Sequence, residues 1–136
     1  AAVLEAMGDT AADHVVCYQS RVGPLQWIGP STEEALKDAA ADGVAAVVVP
    51  IAFVSEHSET LVELDIEYRQ RAEEFGISRY IRVPTVGVAA EFIDGLAELT
   101  VVARRHTGII CAEGGRRCPA HCAGCPCRAL DVSPTR

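Results

Sequence analysis

A chain of 136 residues is one domain's worth of sequence, enough for a modest core and too short for a two-domain enzyme. With 49% hydrophobic and 23% charged residues it reads as a folded soluble domain, not a disordered segment. A net charge of -7 argues against a general nucleic-acid binder, and the arginines at 116, 117 and 128 stand without interleaved aromatics.

The first residues, Ala1-Ala2-Val3-Leu4-Glu5-Ala6-Met7, lack the basic-then-apolar form of a signal peptide. They read as the tail of a helix that stops near Gly8 and Asp9, entered from upstream, so the expectation is a piece of a longer chain. Residues 14–19 are short and β-rich, as a buried parallel strand should be, and Cys17 within them reads as a small buried hydrophobe. Two glycines and two prolines make residues 20–30 a long loop.

Ser31-Thr32-Glu33-Glu34 opens a helix, because a hydroxyl can cap the first N–H groups and acids sit at the positive end of the dipole. Asp42-Gly43 ends it. The apolar run 44–54 is about half of the roughly 20 residues that span a bilayer and contains Pro50, so 44–49 is expected to be a second strand with helices over both faces. A long helix follows over 58–75 with Gly76 as its stop, then a third strand over 77–83 and a last helix over about 89–104. This alternation predicts an α/β domain with a parallel sheet and right-handed crossovers.

The mouth of the second strand carries the chemistry. At helical spacing Glu59 and Glu63 share one face with Glu67, His57 stands beside them, and Leu61, Leu64 and Tyr68 supply a separate apolar side. The plain reading is a solvated acidic face partnered by Arg69 and Arg71. The functional one is a cleft at the carboxyl end of a strand, where clustered carboxylates and an imidazole take protons from a weak acid or ligate a passing divalent metal.

Beyond His106 five cysteines crowd a stretch with little to bury, and metal ligation explains them better than a disulfide framework. Cys118, Cys122, Cys125 and Cys127 suit a structural zinc or an iron–sulfur cluster, and the tight Cys125-Pro126-Cys127 pair weakens zinc.

Tyr18-Gln19-Ser20-Arg21-Val22-Gly23-Pro24, then Trp27 and Pro30, then the whole of residues 49–68 from Val49 through Glu56-His57-Ser58-Glu59 to Tyr68, resemble the C-terminal half of the ferrochelatases. The likeness covers roughly residues 14–105, and the tail is similar to the cluster-binding extension of some members. It implies half of a class II chelatase fold, a three-layer sandwich about a parallel sheet over 1–105, with a cysteine-rich tail over 106–136. It also implies a lyase of haem and porphyrin biosynthesis that inserts Fe2+ into protoporphyrin IX.

By position, Glu59 would be the principal acid and transient Fe2+ ligand, Glu63 the next carboxylate, and His57 and Glu56 their surround. Ser20 and Trp27 would face the porphyrin. The resemblance further implies a π-type turn at the start of the acidic helix. For the tail it implies a [2Fe–2S] cluster on Cys118, Cys125 and Cys127, with Cys122 as an extra thiol or, like Cys111 or His121, the fourth ligand in place of one from the N-terminal half. Zinc stays the alternative.

One departure stands out. The family also uses a histidine in a Ser-x-His-Gly-type motif of the N-terminal half, and none of His14, His57, His106 or His121 has that context. The expected partners are therefore protoporphyrin IX, Fe2+ and the missing half of the same protein, with no nucleic acid, and the 136 residues alone should be a poor catalyst. Two other readings stay open: a non-catalytic porphyrin- or metal-binding module, and a half-size chelatase that completes its cleft as a homodimer. The expected location is the cytoplasm, with or without peripheral contact to the inner membrane face.

Overall fold

The computed structural model describes residues 2–9, 12–19, 23–24, 28–106, 109 and 118–124. They fall into two compact units, Ala1–Thr85 and Val86–Arg136. The first contains helix α1 (Ala2–Met7), helix α2 (Thr32–Ala41), strand β1 (Ala46–Val48), a π-helical segment (Glu59–Glu67), helix α3 (Tyr68–Glu74) and strand β2 (Tyr80–Arg82). The second contains helix α4 (Ala90–Ala103). Among the described residues no helix is long and apolar enough to cross a membrane.

The helix boundaries follow from local chemistry. Ser31 closes a capping box: its Oγ accepts from Glu34 N–H at 3.2 Å while its own N–H donates to Glu34 Oε2 at 2.7 Å. At the other end of α2, Gly43 takes φ +68, and Gly43 N–H and Val44 N–H reach back to the carbonyls of Ala40 and Ala39 at 3.0 and 3.1 Å. Gly76, at φ +85, repeats the device after α3, with Gly76 N–H on Glu73 O and Ile77 N–H on Ala72 O at 3.0 and 2.9 Å. Both are Schellman stops, which need a left-handed residue that only glycine adopts without strain.

Strands β1 and β2 pair in parallel, Ala46 opposite Tyr80 and Val48 opposite Arg82. The core lies on one side of them: Leu36 of α2, Ala72 of α3, Ile77 and Tyr80 are buried, and Ala46, Val48, Tyr68 and Phe75 pack against them. Leu64, at 1% exposure, is the largest side chain fully withdrawn from solvent. Tyr80 spans this layer, its hydroxyl donating to Leu64 O at 2.8 Å, with the Arg69 guanidinium 5.1 Å above its ring. Burial pushes its phenol up to about 12. Tyr80→Phe is expected to destabilise the protein by about 1 kcal/mol, the net worth of one buried hydrogen bond, read as a lower urea midpoint at unchanged slope.

Two expectations are corrected. Residues 14–19 do not form a strand: Tyr18 makes a single bridge to Ser31, with Tyr18 N–H on Pro30 O and Thr32 N–H on Tyr18 O at 2.9 and 3.1 Å. Pro30 has no N–H to extend that ladder, and Thr32 already turns into α2. In this unit the sheet is open at Val47, 60% exposed, and its neighbour Ile81, 36%. Leu61 is exposed as well, because the helix turns differently from the predicted one. With i→i+5 bonding there are a little over four residues per turn, so Thr60, Leu64 and Tyr68 form the inward row and Leu61 rotates away from it.

Candidate functional site

The acids are mounted on the segment that leaves β1. Pro50 is buried, and Phe53 N–H bonds its carbonyl at 3.0 Å, so the chain turns at once after the strand. His57 then nucleates the π segment in place of an ordinary cap. Its carbonyl accepts from Thr60 N–H at 3.0 Å and Leu61 N–H at 2.8 Å, and its ring Nδ1 accepts from Glu59 N–H at 3.2 Å. With Nδ1 as acceptor, the proton of the neutral ring sits on Nε2. Phe53 meets that ring edge to face, 4.6 Å between centroids. Thr60, fully buried, completes the turn by accepting from His57 N–H at 2.9 Å and donating to His57 O at 3.0 Å.

The same wide pitch that turns Leu61 outward brings Glu59, Glu63 and Glu67 into one row, the first two half-buried and the third exposed. Gln19 reaches this row from 40 positions away, its amide donating to Glu59 O at 2.9 Å and to Glu63 Oε2 at 3.1 Å. The arginines expected as partners go elsewhere: Arg69 binds the carbonyls of Asp65 and Tyr80, and Arg71 pairs with Glu74 at 2.8 Å. Half-buried carboxylates beside a neutral imidazole can accept protons from a weakly acidic N–H or pass a divalent cation along. Among the described residues no three such side chains group closely enough to hold a resident metal.

Glu56 occupies a different environment. The 8%-exposed side chain of Arg82, at the end of β2, donates to Glu56 Oε1 at 2.6 Å and grips Asp65 with two further bonds, one of them Nε to Oδ1 at 2.8 Å. Thr85 N–H adds a second donor to the Glu56 oxygen at 3.0 Å. The Thr60 hydroxyl, the Thr85 amide and Arg82 hold the Glu56 carboxyl at about 2, and Arg82 draws Asp65 below the usual carboxylate range. Glu56 therefore anchors the turn on one side of His57 while Asp65 anchors the π segment on the other.

Gln19, Thr60, Asp65 and Arg82 were given no role from sequence. For Arg82 a signal existed, since a guanidinium between Ile81 and Val83 in a strand needs a charged partner. For Gln19 none did, because its partners are 40 and 44 residues distant. Ser20 and Trp27 lie outside the described residues, as do Cys111, Cys125 and Cys127. Cys118 is exposed and Cys122 half-buried, at the two ends of a turn in which Cys122 N–H bonds Pro119 O at 3.0 Å.

A family model described as ferrochelatase matches residues 1–104. The chain is 52% identical over 114 residues to a ferrochelatase of Caulobacter vibrioides, an alignment covering 83% of this chain and 33% of that protein. Against the ferrochelatase of Phenylobacterium zucineum identity is 47% over 128 residues, 94% of this chain and 37% of the relative. Against that of Nostoc punctiforme it is 55% over 94 residues, 68% and 24%. The chain thus spans about a third of the length of the curated relatives it matches. With the acidic row at a strand mouth and the family match running across it, this chain belongs to the ferrochelatase family.

Proposed function

We propose that these residues form one wall of a ferrochelatase site that inserts Fe2+ into protoporphyrin IX to give protohaem, the facing wall coming from the rest of the same protein. The carrying observation is the half-buried pair Glu59 and Glu63, stacked by the π pitch beside a neutral His57 whose ring orients the first turn. Insertion adds one Fe2+ and releases two pyrrole protons with no net redox change. Glu59 takes those protons as the inner base, Glu63 passes them outward or delivers the cation, and His57 holds Glu59 in place. Ser20 and Trp27, by their match to the family's motif, line the porphyrin.

The exposed face at Val47 and Ile81 suits a further layer of helix, as the three-layer reading of the whole fold requires. The function is tested by adding Fe2+ and protoporphyrin IX to the full-length protein and to the isolated 136 residues. Turnover is expected from the first only. Robust insertion by the isolated chain would remove the need for a second wall.

For the tail we propose a [2Fe–2S] cluster held by Cys118, Cys125 and Cys127, with Cys122 as the fourth thiol or an additional one. Cys118 and Cys122 fit such a group in kind, two thiols on one hydrogen-bonded turn, the others coming from positions 125 and 127. When bound, the cluster would supply a one-electron couple and a cross-link for a segment poor in apolar residues. Anaerobically purified protein is expected to be coloured, with visible charge-transfer absorption. A colourless sample containing zinc would sink the assignment.

A further inference from the structure

We propose that Gln19 is a positioning residue that ties the Glu63 carboxylate to the first turn of the π segment. The inference rests on the reading of Glu59 and Glu63 as the acid path. One amide makes both contacts, 2.9 Å to Glu59 O and 3.1 Å to Glu63 Oε2, so the Glu63 carboxylate is tied to the backbone of the first turn and cannot shift along the row without breaking its bond.

The backbone that carries this amide is itself held. Tyr18 is bonded on both sides, to Pro30 O and from Thr32 N–H, and Cys17 Sγ lies 3.9 Å from Thr32 Oγ1 at the start of α2. Gln19 therefore reaches Glu63 from a registered point of the backbone.

Its chemistry is specific to that task. Arg82 holds Glu56 and Asp65 with a cation, which fixes them as anions and removes them from proton traffic. An amide orients a carboxylate through a neutral N–H and, unlike a guanidinium, brings no charge of its own. The bond to Glu59 O also supports a carbonyl of the wide helix, as Tyr80 does at Leu64 O and Arg69 at Asp65 O. Side chains from three separate elements thus hold the π pitch, and Gln19 is the member that also touches an acid.

The test is steady-state Fe2+ insertion by the full-length protein carrying Gln19→Leu, Glu63→Gln or both. Q19L keeps side-chain bulk and removes the donor. It is expected to lower kcat about tenfold, the scale of one hydrogen bond to a charged group, with the KM for porphyrin changed less than about twofold. The diagnostic result is coupling: E63Q is expected to cost less in the Q19L background than in wild type, because the contact is already gone.

A merely structural role would lower the melting temperature and leave the two effects multiplicative. Multiplicative effects, or a folded Q19L with wild-type kcat, would overturn the proposal. If Q19L does not fold, Gln19→Glu, which keeps length and shape and faces Glu63 with a like charge, reads the same contact and is expected to lose more activity than tenfold. Wild-type turnover with a normal folded Q19E overturns the inference. Absence of insertion by the wild-type protein itself overturns the underlying reading instead.

Discussion

Glu59→Gln is expected to lower the kcat of Fe2+ insertion by the full-length protein by about 10²–10⁴, the range associated with loss of a positioned general base. The substitution keeps the length of the side chain and replaces a carboxylate with a group that cannot take a proton at neutral pH. The backbone N–H of residue 59, which His57 Nδ1 accepts, is unaffected, so the first turn should survive. The KM for porphyrin should change little, since the substitution preserves the size of the side chain and removes only its capacity to take a proton. Glu67→Gln is the matched control: it lies on the same row but is exposed, and its turnover is expected to stay near wild type. If E59Q retained wild-type turnover while Glu63→Gln abolished it, the inner base would be Glu63.

Arg82→Met is expected to cost about 2 kcal/mol of stability, less than the value for a fully buried pair because Asp65 and Glu56 remain 30% and 33% exposed. It should also flatten the acid limb of the stability profile. The folded values for Glu56 and Asp65 lie below those of the unfolded chain, Glu56 at about 2. Their contribution is therefore complete above the unfolded carboxylate values near pH 4 and is lost as pH falls toward about 2. Wild type should lose stability through that window, and R82M should start lower and fall less. Chemical denaturation at pH 2, 3, 4 and 6 checks both statements. Equal slopes in the two proteins would mean that Arg82 is not what draws Asp65 down and adds nothing to the hold of Thr60 and the Thr85 amide on Glu56.

Much of the domain was legible before any coordinates. The capping box at Ser31 and Glu34 and the glycine stops at Gly43 and Gly76 are local codes, written within five or six neighbouring residues, and all three are present. The parallel pairing of β1 with β2 followed from the alternation of apolar runs and helices. The acids at the strand mouth were also found from sequence, because position 59 follows the apolar run closely and positions 63 and 67 repeat at helical spacing.

The errors came from quantities that are not local. Residues 14–19 have the composition of a strand but pair only at Tyr18, because strand identity is decided by a neighbour. Leu61 was assigned to the buried side by counting at 100° per residue, and the chain winds more widely there. Periodicity alone does not announce a π-helix: its carbonyls are supported by Gln19, Tyr80 and Arg69, none of which lies within the segment.

By itself, then, the sequence determined where helices begin and end, which strands run parallel, and that Glu59 and Glu63 lie on the helical segment that follows a strand. Those features depend on hydrogen bonds and periodicities that close within a few residues. The tertiary structure alone decided that Glu56 and Asp65 belong to Arg82 while an amide holds Glu63, because partners 17 to 44 residues apart meet only after folding. Carboxylates that look alike in a row of letters are told apart by which donor the fold brings to each.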